Sequence, residues 1–451
     1  MVKIPKCPNC MKQLSRDEIS FWVRKDSEFS DVEFEDPVLK KICGEKEKNG
    51  DKKYRRFWEK ENTVIAEEGK NRIVVNGEEI REILTAMEDG TDKLFRADGM
   101  LPRFFLENEV ETVAEVIPVC GKCHNIIRED FFAVNSFHIG MIAPKETGKT
   151  SFLCGLSEES ILRSEGMFGY TFAFDYIQEE NPVFREFHEQ LEEYYLEGKS
   201  LKGSENIRRF PISVTVKRKN GDGSEDTFRL IFHDVSGELY QTPGLFIRNR
   251  IAQMDALICM AEVPDTGPEN YNNKEEIWQK YLDSCEVLPM EKQVLLQSQK
   301  ERKEQYIYQL LPQIKSKITD RKNDSIYRAV TEGNPMLNLP ENQIPMAFLL
   351  TKGDRLRKLS FEKINALMQE DRDWEVFYTT NSKEGNTLQK KKRFSKRMLE
   401  MLAPSLYHFS QKYGKTVYGI VSAYGKEPDG TQPAPWGIQE SLVLLLDKML
   451  S

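Results

Sequence analysis

No stretch of this chain approaches the roughly 20 consecutive apolar residues that a membrane helix needs, so the sequence predicts no transmembrane segment. Its opening, MVKIPKCPNC, reaches a cysteine pair before an apolar leader core could form, which predicts no secretory signal and a cytoplasmic protein. Positive charge is not in excess: the formal net charge is −8, which gives no general attraction to nucleic acid. The local exception is Lys390, Lys391, Lys392, Arg393, Lys396 and Arg397, a cluster that reads as a solvated helix face. Charged residues at 31% and apolar residues at 39% describe a soluble globular chain, and 451 residues allow two or three domains with sizeable cores.

Eight cysteines in a cytosolic chain point away from disulfides and toward metal ligation or packing. Four of them form two C-x-x-C knuckles, Cys7-Pro-Asn-Cys10 and Cys120-Gly-Lys-Cys123, each with a turn-forming Pro or Gly inside. Four thiolates of this kind can close a tetrahedral Zn2+ site. A redox pair would need a βαβ context that neither knuckle has. The result is a split zinc ribbon, residues 1–27 and 112–134, with an insert at 28–111. The insert opens on a charged run and then offers a strand at Ile73-Val74-Val75, an Asn76-Gly77 turn, and a helix with Ile80, Ile83, Leu84 and Met87 on one face. It reads as a small α+β satellite without a chemical motif. Cys43, Cys154, Cys259 and Cys285 lack partners and read as packing residues.

The chain is organised around Phe137 to Leu156, FHIGMIAPKETGKTSFLCGL, which reads as a buried strand, a loop and an amphipathic helix. The loop has Walker A spacing, with Ala143 where Gly is usual. Backbone N–H groups of Lys145, Glu146, Thr147 and Gly148, with Lys149, Thr150 and Ser151 behind them at the helix start, form a phosphate cradle. Lys149 is the lysine that reaches β- and γ-oxygens, and the Thr150 hydroxyl belongs to a magnesium shell. Further on, Asn181-Pro182 opens a helix carrying Phe184, Phe187, Leu191 and Tyr194; His188 on it reads as a surface residue. A hairpin follows, Phe210–Val216 and Thr227–His233 around Asn220-Gly221-Asp222-Gly223. It delivers Asp234-Val-Ser-Gly237 to a strand end, where Asp234 can hold magnesium and Gly237 can approach a γ-phosphate. Apolar strands at Ala256–Ala261 and Ile344–Leu350 come next, separated by a charged helical insertion at 268–343. The second strand ends in Thr351-Lys352-Gly353-Asp354, and a last one, Val417–Val421, leads into Ser422-Ala423.

In this order, A-x4-G-K-T, hairpin, D-x-x-G and T-K-x-D resemble the P-loop GTPases of the translation-factor-related class. The resemblance covers roughly residues 135–451. It implies that Asp354 accepts the guanine ring N–H and exocyclic amine, that Lys352 lies along the base, and that Ser422 and Ala423 belong to the last base-contacting loop. Thr351 stands where Asn is commoner. More narrowly, Asp234-Val-Ser-Gly-Glu238, the helical insertion and Pro435-Trp436-Gly437 resemble the bacterial double-GTPase family, which implies a place in a prokaryotic conflict or defence system. Only one complete motif set is present. The residue after D-x-x-G is Glu238 in place of the water-positioning Gln, which implies slow turnover awaiting a partner protein as activator or effector. Ser204 and Thr171 are both candidates for the switch threonine.

The expected architecture is therefore α/β: a three-layer P-loop NTPase domain, GTPase-like, with a helical insertion, preceded by the split zinc ribbon and its insert. The expected ligands are GTP or GDP, Mg2+ and Zn2+. A second reading stays beside the first: a non-hydrolysing scaffold in which nucleotide is structural and the zinc ribbon binds protein or nucleic acid.

Overall fold

Strand pairing and burial arrange the chain as two α/β units. The computed structural model describes residues 5–24, 72–86, 100–101, 104–107, 112–144, 147–174, 182–197, 211–234, 251, 253–263, 288–300, 320, 344–358, 385–425 and 432–451. One unit comprises residues 1–137 with 177–184 and 227–231, and the other takes the remainder.

In the first unit, β1 (Ile19–Arg24) pairs antiparallel with β2 (Arg72–Asn76) on one side and with β4 (Thr112–Cys120) on the other. A short strand, β3 (Phe104–Glu107), completes the order β2-β1-β4-β3. The strands of the insert thus belong to the same sheet as those that flank the cysteine knuckles. Ile19, Phe21, Val116, Ile117 and Val119 are buried in it. Pro118 is tolerated inside β4 because β3 pairs only as far as Val116, so its missing N–H leaves no β3 carbonyl without a donor, while its own carbonyl accepts the Ile127 N–H at 2.9 Å. Asn76 does not turn the chain. Its side-chain oxygen accepts the N–H groups of Glu78 and Glu79 at 3.0 and 2.9 Å while Glu79 accepts the Asn76 N–H at 2.8 Å. That reciprocal cap converts strand β2 directly into helix α1 (Gly77–Ala86).

A curled seven-stranded sheet carries most of the second unit. Its strands are β5 (Asn135–Ile142), β6 (Tyr170–Phe174), β7 (Ile212–Lys219), β8 (Glu225–Asp234), β9 (Ala256–Glu262), β10 (Met346–Thr351) and β11 (Thr416–Ile420), in the order β11-β10-β9-β5-β8-β7-β6. Pairs β5/β9, β9/β10 and β10/β11 are parallel, and β6/β7 is antiparallel. Every residue of β10 and all of β9 but Glu262 are buried, as expected of parallel strands covered on both faces. The turn between β7 and β8 closes with the Asn220 N–H on Ser224 O at 2.8 Å, and Gly223 supplies its positive φ of 86°. Helix α2 (Lys149–Leu162) follows β5, and α3 (Pro182–Glu192) runs into a π-helical turn, Glu193–Glu197. Within the expected helical insertion, α4 (Pro289–Lys300) is described. Helices α5 (Gly385–Leu402) and α6 (Pro404–Ser410) pack on each other and on β10, while α7 (Ile438–Leu450) packs on α2, β10 and β11. No helix among the described residues is long and apolar enough to cross a membrane.

The basic cluster on α5 is only partly a solvated face. Lys390, Arg393 and Arg397 are exposed, but Lys391 is buried against Glu440 at 2.7 Å, and Lys396 lies 5.8 to 5.9 Å from the Tyr407 and Tyr418 ring centres. Amphipathic stems let such lysines cover apolar surface.

Candidate functional site

Strand order places a switch point at β5. The chain leaves β5 for the far edge at β6, returns through β7 and β8 to one side of it, then continues through β9, β10 and β11 on the other. In an open α/β sheet, ligands lie beyond the carboxyl end of such a strand. Of the expected phosphate loop, Ala143, Pro144, Thr147 and Gly148 are described, and they follow the end of β5.

Gly148 has φ 95°, a left-handed conformation that glycine adopts without strain, and a methyl group at its Cα would meet open space. It caps α2, whose first turn holds no acidic residue. A helix start of this kind leaves its N–H groups to an anion. Lys149 is buried and its Nζ lies 3.4 Å from the carbonyl oxygens of Ala143 and Pro144, so the ammonium is folded over the loop. The Thr147 hydroxyl donates to Pro144 O at 3.0 Å. Thr150 and Ser151 are half-buried on the first turn of α2. Lys145 and Glu146 lie outside the described residues, as do Gly237, Glu238 and Ser204. Asp234 is the last residue of β8. Thr171 lies on the edge strand β6, opposite Lys217, three strands from β5.

The residues of T-K-x-D and of the last loop converge on this end of the sheet. Thr351, buried at the end of β10, directs its hydroxyl to Thr147 O at 2.6 Å, with Ala261 O at 3.3 Å. One hydroxyl has one proton, and the nearer acceptor takes it. Lys352 has φ 57°, unusual for a side chain of its size, and is ion-paired with Glu262 of β9, which also has Arg355 at 3.6 Å. The Ser422 hydroxyl donates to Asp354 Oδ1 at 2.5 Å and accepts the Gly425 N–H at 2.9 Å. Asp354 Oδ2 accepts no hydrogen bond from the described residues. Ser422 also pairs with Trp436 through both backbone groups, at 3.1 and 3.0 Å, which accounts for Pro435-Trp436-Gly437 as a brace under this loop. Glu262 escaped the sequence reading because a strand-terminal acid carries no motif. The same holds for His138 and His233, buried on β5 and β8 with ring nitrogens 2.9 Å apart.

The four knuckle cysteines form the second candidate centre. Their sulfurs lie within 4.8 Å of one another, with Cys7–Cys123 at 3.7 Å and Cys10–Cys120 at 3.8 Å. A tetrahedral zinc with bonds of about 2.3 Å sets its sulfurs about 3.8 Å apart, so the residues fit the ion. Local geometry repeats between the knuckles. Met11 N–H bonds Cys7 O at 2.9 Å and His124 N–H bonds Cys120 O at 2.7 Å; Cys7 N–H bonds Lys12 O and Cys120 N–H bonds Asn125 O, both at 2.8 Å. Met11 and His124 take φ 61° and 60°. Glycine is the residue expected there, so sequence gave no sign of this turn. Asn125 Nδ2 and the Lys122 N–H approach Cys123 and Cys120 sulfurs at 3.1 and 3.4 Å, donors that stabilise thiolate. Burial pushes the Cys7 thiol well above its ordinary range, whereas hydrogen bonds from Cys120, Cys123 and Cys7 hold Cys10 far below it. The four cysteines are positioned to bind a metal ion. Cys154 and Cys259 are buried elsewhere, as packing residues.

Compared with known proteins, the chain matches no family model and no curated sequence.

Proposed function

We propose that this protein is a GTP-binding switch with slow, magnesium-dependent GTPase activity, carrying a structural zinc ribbon. The observation that most supports the reading is the hydrogen bond from Thr351 to Thr147 O, which joins residues 204 apart at the end of the sheet where ligands of open α/β folds bind. One partner is in the loop expected to cradle phosphate, the other in the motif expected to read the base.

On this reading, the backbone of residues 145–148 and the α2 N-terminus receive the phosphates, and Lys149 turns its ammonium from the carbonyls of Ala143 and Pro144 to the β- and γ-oxygens. Thr150 and Asp234 would hold magnesium, which neutralises charge on the phosphates. Asp354, oriented by Ser422, accepts guanine's ring N–H and exocyclic amine; adenine has no ring N–H on that edge, so a carboxylate selects guanine. Glu238 places an anion where Gln is usual, and turnover is slow until a partner protein supplies positive charge. The metal of the four cysteines is zinc. The resemblance to the double-GTPase family places the switch in a bacterial defence system by analogy alone.

Phosphate release from purified protein with GTP and with ATP in magnesium tests the reading, alongside Lys149→Ala and Asp354→Asn. Release from GTP alone is expected, lost at least about 100-fold in the first variant and shifted toward xanthosine triphosphate in the second. Release from ATP at an equal rate would overturn the guanine assignment. Nucleotide binding without release would leave the scaffold reading in its place.

A further inference from the structure

Reading the site as a guanine pocket leaves one atom of the base edge unanswered. Asp354 meets the two donors, but O6 is an acceptor and needs an N–H. The Ser422 hydroxyl is bonded to Asp354 and its N–H to Trp436 O, so the next donor along that loop is the N–H of Ala423. Ala423 is half-buried, and its N–H makes no hydrogen bond among the described residues.

The backbone of Ala423 is held on three sides. Its preceding peptide is fixed by Trp436, whose N–H donates to Ser422 O at 3.0 Å. Below it runs Gly155 of α2, so close that a methyl group there would lie 3.1 Å from Ala423 Cα. On the third side stands Tyr194, fully buried, its hydroxyl donating to Ala423 O and its ring centre 5.0 Å from that of Tyr424. Burial raises the Tyr194 phenol above its ordinary range, so it keeps its proton and remains a donor. Tyr194 comes from the π-helical turn after α3, and Tyr195, next to it, places its hydroxyl 3.5 Å from Ser157 Oγ on α2. Single π turns recur at functional sites.

We propose that Tyr194 is a positioning residue for base recognition, holding the Ala423 carbonyl so that the Ala423 N–H meets O6 of guanine. The inference rests on the guanine reading. It adds that a residue from the segment between α2 and β7, outside every sequence motif, sets base selectivity.

Competition against a fluorescent GDP, on the full chain, compares GDP, inosine diphosphate, 6-thioguanosine diphosphate and ADP. Inosine lacks the exocyclic amine read by Asp354, and 6-thioguanine changes only the O6 position. Tyr194→Phe keeps the ring and loses the hydroxyl. It is expected to lose about threefold or more of the preference for GDP over the 6-thio analogue and to keep the preference over inosine diphosphate. Tyr195→Phe is expected to change neither. If both preferences survive in Tyr194→Phe, or both fall together as in general loosening of the pocket, the proposal is overturned. A wild-type protein that does not prefer GDP to ADP would instead overturn the guanine reading itself.

Discussion

Glu159 holds a helix end from a position with no solvent exposure. Its Oε2 accepts the N–H groups of Ile438 and Gln439 at 3.1 and 2.8 Å, two of the donors that α7 leaves unpaired at its start, and Arg163 lies 2.9 Å from Oε1. Those partners favour the carboxylate, but burial outweighs them and pushes the group up to about 7. The folded value exceeds the unfolded one, so the protonated form is the one that folding favours. Its contribution is fully present below the unfolded value near 4.5 and is lost as pH rises through about 7. The shift corresponds to about 3 kcal/mol. Denaturant midpoints measured from pH 4.5 to 8 should therefore fall relative to those of Glu159→Gln as pH rises, the gap becoming constant above neutrality. Parallel curves for the two proteins would show that Glu159 ionises in the fold without cost. Nothing in the sequence marks this residue: it is one of two adjacent acids on α2, and its partners on α7 lie some 280 residues along the chain.

At the scale of elements, the sequence was informative where one local rule decides the outcome. Apolar runs gave β9 and β10, the Asn-Gly-Asp-Gly turn gave the β7–β8 hairpin, and C-x-x-C spacing gave both knuckles. It failed where two rules compete. Asn76-Gly77 satisfies a turn as well as a cap, and Glu79 three residues on decides for the cap. A lysine-rich helix reads as solvated until a distant acid, Glu440, pairs with Lys391. The knuckles also carry the clearest prediction for an element. Purified protein should hold about one zinc per chain by metal analysis, and Cys120→Ser should lose it together with the ordered β1–β4 pairing, since metal binding at such sites contributes about 10 kcal/mol or more to folding. Full occupancy in Cys120→Ser would mean that the cysteines do not close around the metal as their spacing requires.

For the whole molecule, the competing readings differ in how ligand energy is spread. The site parts come from residues as far apart as Ala143 and Gly425, so whatever occupies them stabilises the unit that unites them. A ligand at 100 times its dissociation constant adds about 2.7 kcal/mol, and each kcal/mol raises the melting point of a domain of this size by about 2 to 4 °C. GDP with magnesium should therefore raise the melting temperature by about 5 to 10 °C at that excess, while ATP at the same concentration should not. On the proposed reading Lys149→Ala should lose the effect, because the phosphates would lose their ammonium. A switch adds a second requirement. The two nucleotide states must differ in free energy, or hydrolysis would change nothing. A non-hydrolysable GTP analogue should then give a shift measurably different from that of GDP at equal saturation, and Asp354→Asn should reduce both shifts together because it acts on the base alone. Equal shifts from the two nucleotides would leave a stabilised scaffold. No shift from either at millimolar concentration would mean that the convergence of Thr147, Thr351, Asp354 and Ser422 serves packing only.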